Sequence, residues 1–211
     1  MKRALAAALL LAATCARAQT CDPQKMVRVV YRDVSPGVDA SSPAGQPETL
    51  YRLGTKYARV EGAIDPHEGT QPILVANEPD IWMINLLSKQ GRHFTDSDAA
   101  SGFRAPVVGD PNVPPSIAAM EFGCEMAFMK GIPTKKADLD GQRVSQYEKK
   151  IDRYRVVLSV IQKAQTPVSL FLYESDKLVF ALRYVEYDNT LAPKMELFQR
   201  PGGITYQEGK P

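Results

Sequence analysis

The chain has 211 residues, 44% of them hydrophobic, with 26 Lys and Arg against 24 Asp and Glu. Setting aside an amino-terminal leader removes Lys2, Arg3 and Arg17 and takes the formal charge from +2 to −1. That balance argues against nucleic acid or an anionic membrane as the main partner, and no later stretch is apolar for long enough to cross a bilayer.

The leader is read from its three parts. Lys2-Arg3 is a positive start, Ala4 to Ala13 an apolar stretch too short to span a membrane, and Ala16-Arg17-Ala18 a small-residue cleavage site. Residues 1–18 are therefore expected to be a signal peptide, and 19–211 one exported, periplasmic domain. Cys15 as a lipidation site is the alternative, and Thr14 before it is bulkier than such sites usually carry. Two cysteines remain after cleavage, Cys21 and Cys124. In an oxidising compartment they are expected to pair, the alternative being two thiols that never meet.

In chain order, Met26 to Val34 reads as a strand and Ser35 to Pro47 as a loop rich in Ser, Pro, Gly and Ala. Glu48 to Leu53 and Lys56 to Gly62 form a hairpin through Gly54-Thr55, with Ala58 and Val60 opposite in facing to Tyr57, Arg59 and Glu61. Pro72 to Ala76 is a short strand. Asp80 to Leu87 is apolar on both faces, Trp82, Ile84 and Leu86 against Ile81, Met83 and Leu87, and is expected near the middle of a sheet with something packed over it. Arg92 to Thr95 follows, then a proline-rich loop to Pro115.

Ser116 to Lys130 is predicted as a helix. Ser116 follows a Pro-Pro stop, Gly131 and Pro133 close the other end, and Ile117, Met120, Cys124 and Phe128 recur at helical spacing. Its methionines would make a pliable plug, though such stripes are usually plain core. Asp140-Gly141 opens a strand from Gln142 to Lys149.

From Tyr154 to Tyr187 a period of two dominates. Tyr154, Val156, Leu158 and Val160 alternate with Arg155, Val157, Ser159 and Ile161, and the runs around Leu170 and Phe180 repeat the pattern after polar turns. This is the signature of an antiparallel meander. A long helix over Val144 to Ala164 competes, because Val144, Tyr147, Ile151, Tyr154, Leu158 and Ile161 also fit a helical spacing; β-branched content favours strands. Met195 to Phe198 closes the chain as a short strand before Gly202-Gly203. The fold class expected from these elements is α+β, mostly β: one large, curved antiparallel sheet with a helix packed on it.

Catalytic chemistry is thin. His67 and His93 lack metal-ligand spacing, and no nucleophile, zinc, phosphate-loop or dinucleotide motif occurs. Asp96-Ser97-Asp98 and Asp138-Leu139-Asp140-Gly141 resemble calcium loops without the full ligand set. No enzyme activity, metal or cofactor is expected. An apolar sheet curling over a helix leaves a space that is either filled by side chains or open to an apolar ligand.

Leu53-Gly54-Thr55-Lys56-Tyr57-Ala58-Arg59-Val60-Glu61, then Ile73-Leu74-Val75-Ala76-Asn77 and Ile81-Trp82-Met83-Ile84-Asn85, resembles the periplasmic lipoprotein-carrier (LolA/LolB-like) superfamily. The ending Leu197-Phe198-Gln199-Arg200-Pro201-Gly202-Gly203-Ile204-Thr205 is similar to that of the same proteins. The resemblance implies a curved antiparallel sheet bent into an incomplete barrel, covered on its concave face by a helix, whose cavity receives lipoprotein acyl chains or senses envelope lipid. The mature chain departs from it by entering a strand soon after Cys21, where such carriers begin with an amphipathic helix. On this reading a hydrophobic ligand or lipoprotein would lie against Trp82, Ile84, Leu86, Met120, Phe128, Phe180 and Leu182. The alternative is an envelope protein partner held by long loops on a filled core.

Overall fold

The computed structural model describes residue 21, residues 23–96 and residues 103–209. The expected leader, 1–18, lies outside the described residues. Among the described residues twelve strands form one curved sheet that is not closed: β1 (Met26–Asp33), β2 (Glu48–Leu53), β3 (Tyr57–Glu61), β4 (Pro72–Asn77), β5 (Asp80–Asn85), β6 (Gln90–Thr95), β7 (Thr134–Leu139), β8 (Gln142–Ile151), β9 (Tyr154–Ile161), β10 (Thr166–Glu174), β11 (Lys177–Leu191) and β12 (Thr205–Glu208). Their spatial order is β12-β6-β5-β4-β3-β2-β1-β11-β10-β9-β8-β7. Every pairing is antiparallel except β12 with β6. The mostly β, curved antiparallel sheet read from the sequence is the architecture observed.

Residues 144–164 are strands, not a helix. Ile151 pairs with Tyr154 across a tight turn in which Asp152 takes φ 53°, a left-handed conformation that aspartate tolerates. The turn needs neither Gly nor Pro. β7, a strand with little apolar signal, forms one edge, and its Lys135 and Lys136 discourage further strand addition.

The expected helix over Ser116 to Lys130 is instead two single turns, α1 (Pro115–Ala118) and α2 (Glu125–Phe128). Between them Glu121 bridges Pro106, with Val107 N–H donating to Met120 O and Phe122 N–H to Ala105 O. Gly123, at φ 87°, reverses the chain. Tertiary demands override the helical spacing: Cys124 is disulfide-bonded to Cys21, and Glu121 must reach Arg52. Met195–Phe198, expected as a strand, is a 3-10 turn.

Two cores lie on opposite faces of the sheet. The larger uses the inner face of β1, β2 and β8 to β11, with segment 103–132 packed over it; Val29, Ile117, Met120, Val156, Leu158 and Leu170 are all 0% exposed. The smaller gathers Ile73, Val75, Trp82 and Ile84 on the outer face of β4 and β5, packed against Ile204 and Tyr206. The 3-10 turn lies beside it, with Phe198 against Tyr57 and Leu197 O accepting from Arg59. Among the described residues nothing packs over the inner face of β3 to β6.

Candidate functional site: an open apolar groove

Register partners on neighbouring strands share a face. One ladder runs from the core outward: Val29 pairs Leu50, Leu50 pairs Val60, Val60 pairs Leu74, Leu74 pairs Met83, Met83 pairs Arg92, and Arg92 pairs Gln207. Burial falls along it, from 0% exposure at Val29 and 2% at Leu50 to 53% at Met83. From Val60 to Arg92 is three inter-strand steps, about 14 Å.

From Val60 to Arg92 the ladder floors a groove of about 680 Å³, walled also by Phe94, Pro72 and the β12 residues Thr205 and Gln207. Arg92 is exposed, and among the described residues no carboxylate pairs with it. Glu48 stands at the opposite side, where its carboxylate accepts from the Tyr31 hydroxyl at 2.8 Å. The groove therefore offers an aliphatic floor with opposite charges at its two sides. Among the described residues no three His, Cys, Asp or Glu side chains converge to hold a metal, and no helix is long and apolar enough to cross a membrane.

The seven residues expected to hold a ligand do not converge. Met120 and Leu182 are buried in the covered core, with Phe128 and Phe180 packed against it. Trp82 and Ile84 belong to the outer-face cluster; Ile84 borders the groove, yet its side chain packs away from it. Leu86 lies past the end of β5 and is 41% exposed. β5 is not buried on both sides as expected, because Met83 and its ladder are open. Its two alternating sets, Ile81 and Met83 against Trp82 and Ile84, are both apolar, so hydrophobicity alone does not say which faces a core. A one-residue change of parity exchanges the faces.

Segment 103–132 is fixed over the other half by buried polar contacts. Arg52, 0% exposed, donates to Gly54 O, Phe122 O and Cys21 O and pairs with Glu121, which also accepts from Arg104. Glu125, also 0% exposed, accepts from the hydroxyls of Tyr184 (3.2 Å) and Tyr187 (2.9 Å). Burial pushes the Glu125 carboxyl up, against the opposing pull of the backbone N–H groups and tyrosines. No local pattern of charges points to these partners, which are distant along the chain.

No protein-family model and no curated protein matches the chain. Among solved structures, it is similar to an uncharacterized conserved protein from Thermus thermophilus, at 12% identity and a TM-score of 0.48, over 88% of this chain and 91% of that one. MucB in the Pseudomonas aeruginosa MucA/MucB complex matches at 12% identity and a TM-score of 0.44, over 89% of this chain and 59% of that one. A putative outer membrane lipoprotein-sorting protein domain from Vibrio parahaemolyticus matches at 10% identity and a TM-score of 0.32, over 78% and 85%. The chain thus spans little more than half of MucB. With these TM-scores all below 0.5, the functional reading rests on the groove.

Proposed function

We propose that this is an exported, non-catalytic binding protein whose groove over β3 to β6 takes a hydrophobic ligand, a lipid or a lipoprotein acyl chain, in a carrier or sensor role. The observation that carries the reading is the uncovered ladder Val60-Leu74-Met83, aliphatic and continuous with the core, in a groove of about 680 Å³. Burying that surface under an acyl chain is favourable by about 25 cal/mol per Å². The disulfide between Cys21 and Cys124 suits an oxidising, periplasmic compartment. Native mass spectrometry of protein purified from cells tests the reading. Bound lipid is expected, and a chain that is ligand-free and binds no acyl probe would defeat it.

A second reading, an envelope protein partner, draws on the same place. Gln90, Arg92, Thr205 and Gln207 add hydrogen-bonding groups along one wall, which suits an extended peptide. A pull-down returning one protein and no lipid would favour it.

A further inference from the structure

β12 is the edge strand on the groove side of the sheet, four residues long, and its Thr205 and Gln207 form the groove's outer wall. One side chain, His93, ties it across β6 to β5. The His93 ring places Nδ1 at 2.8 Å from Glu208 Oε2 on β12 and Nε2 at 2.7 Å from Asp80 Oδ1 on β5. It stacks on Trp82, with ring centres 5.6 Å apart and planes at 17°. Among the described residues Asp80 and Glu208 are the charged groups against the ring; Trp82 is neutral, and Arg200 of the C-terminal segment is stacked 4.4 Å over Tyr206.

Each ring nitrogen faces a carboxylate oxygen. Only the imidazolium can donate to both, because a neutral imidazole has one N–H and one lone pair. We propose that His93 is a proton-operated latch: charged, it ties β12 to β5, and on releasing its proton to solvent it lets Glu208 go and loosens the groove's outer wall. Glu208 is the partner that leaves, since its side chain is 78% exposed against 41% for Asp80, so water replaces the lost bond most readily there. Hydrogen bonding to Asp80 raises the His93 pKa, partial burial opposes it, and Glu208 adds to the rise. With the folded pKa above the unfolded value of about 6.5, the latch is fully engaged below that value. It is lost as pH rises through the folded pKa.

The wall reading depends on the groove being the binding site, but the latch is tested without any ligand. Amide exchange corrected for intrinsic rates is followed at Thr205 and Gly209, whose N–H groups donate to Lys89 O and His93 O, alongside an NMR titration of the ring. Protection is expected to fall roughly tenfold between acid and alkaline pH, the scale of one charge-assisted bond. In Glu208→Gln it should be flat with pH and low throughout. Unchanged protection in the wild type, or an equal fall in Glu208→Gln, would overturn the latch. An intact exchange response with no acyl-probe binding at any pH would sustain the latch and remove the groove.

Discussion

Arg52 and Glu121 meet 2.5 Å apart with side-chain exposures of 0% and 4%, joining β2 to the segment that covers the main core. Arg104, half exposed, holds the other carboxylate oxygen at 2.9 Å. The pair also explains why the chain around Glu121 is extended: a helical path would not deliver its carboxylate to Arg52 while keeping the bridge to Pro106. Arg52→Met leaves Glu121 buried with one partly solvated partner, and should cost about 3–5 kcal/mol. Urea unfolding checks it, and a second change, Glu121→Leu, should recover much of the loss.

The disulfide closes a separation of 103 residues between the start of the described domain and α2. Constraining so long a loop in the unfolded chain should stabilise the fold by about 2–5 kcal/mol. Cys124→Ala, or reductant, is expected to lower the urea midpoint accordingly. Because Arg52 donates to Cys21 O, segment 103–132 should lose amide protection first.

Among the described residues no cation pairs with Glu125, and burial raises its pKa above the unfolded value of about 4.3. Its protonated form therefore favours the fold. That contribution is full below the unfolded pKa and is lost as pH rises through the folded one. Glu125→Gln keeps an acceptor for Tyr184 and Tyr187 without the charge. It should match the wild type in acid and exceed it at neutral pH by about 1–3 kcal/mol, read from unfolding across the pH range.

Gly91 pairs with Tyr206, and an added Cβ would lie 2.9 Å from that ring and 3.1 Å from Met83 O. Gly91→Val should therefore displace β12 and open the outer-face cluster. Loss of exchange protection at 205–209 with β8 to β11 unchanged is the expected result.

The meander is legible because only one of its two alternating sets is consistently aliphatic: Val156, Leu158, Leu170 and Leu172 all point to the core. On β5 both sets are apolar, and only the C-terminal segment, far along the chain, decides that Trp82 is covered and Met83 is not. The spacing of Ile117, Met120, Cys124 and Phe128 is helical, yet contacts at Cys21, Arg52 and Pro106 outweigh one turn's worth of propensity. β7 carries too few apolar residues to announce itself, since an edge strand buries little.

The opposed facing of Met83 and Trp82 gives the most direct measurement of where a ligand sits: acyl-probe affinity of Met83→Glu beside Trp82→Phe, each with its unfolding midpoint. Met83, 53% exposed, should tolerate the charge with little change in stability while affinity drops roughly tenfold or more. Trp82→Phe should lose stability and keep its affinity. Wild-type binding in Met83→Glu, or binding abolished only in Trp82→Phe, would contradict the account.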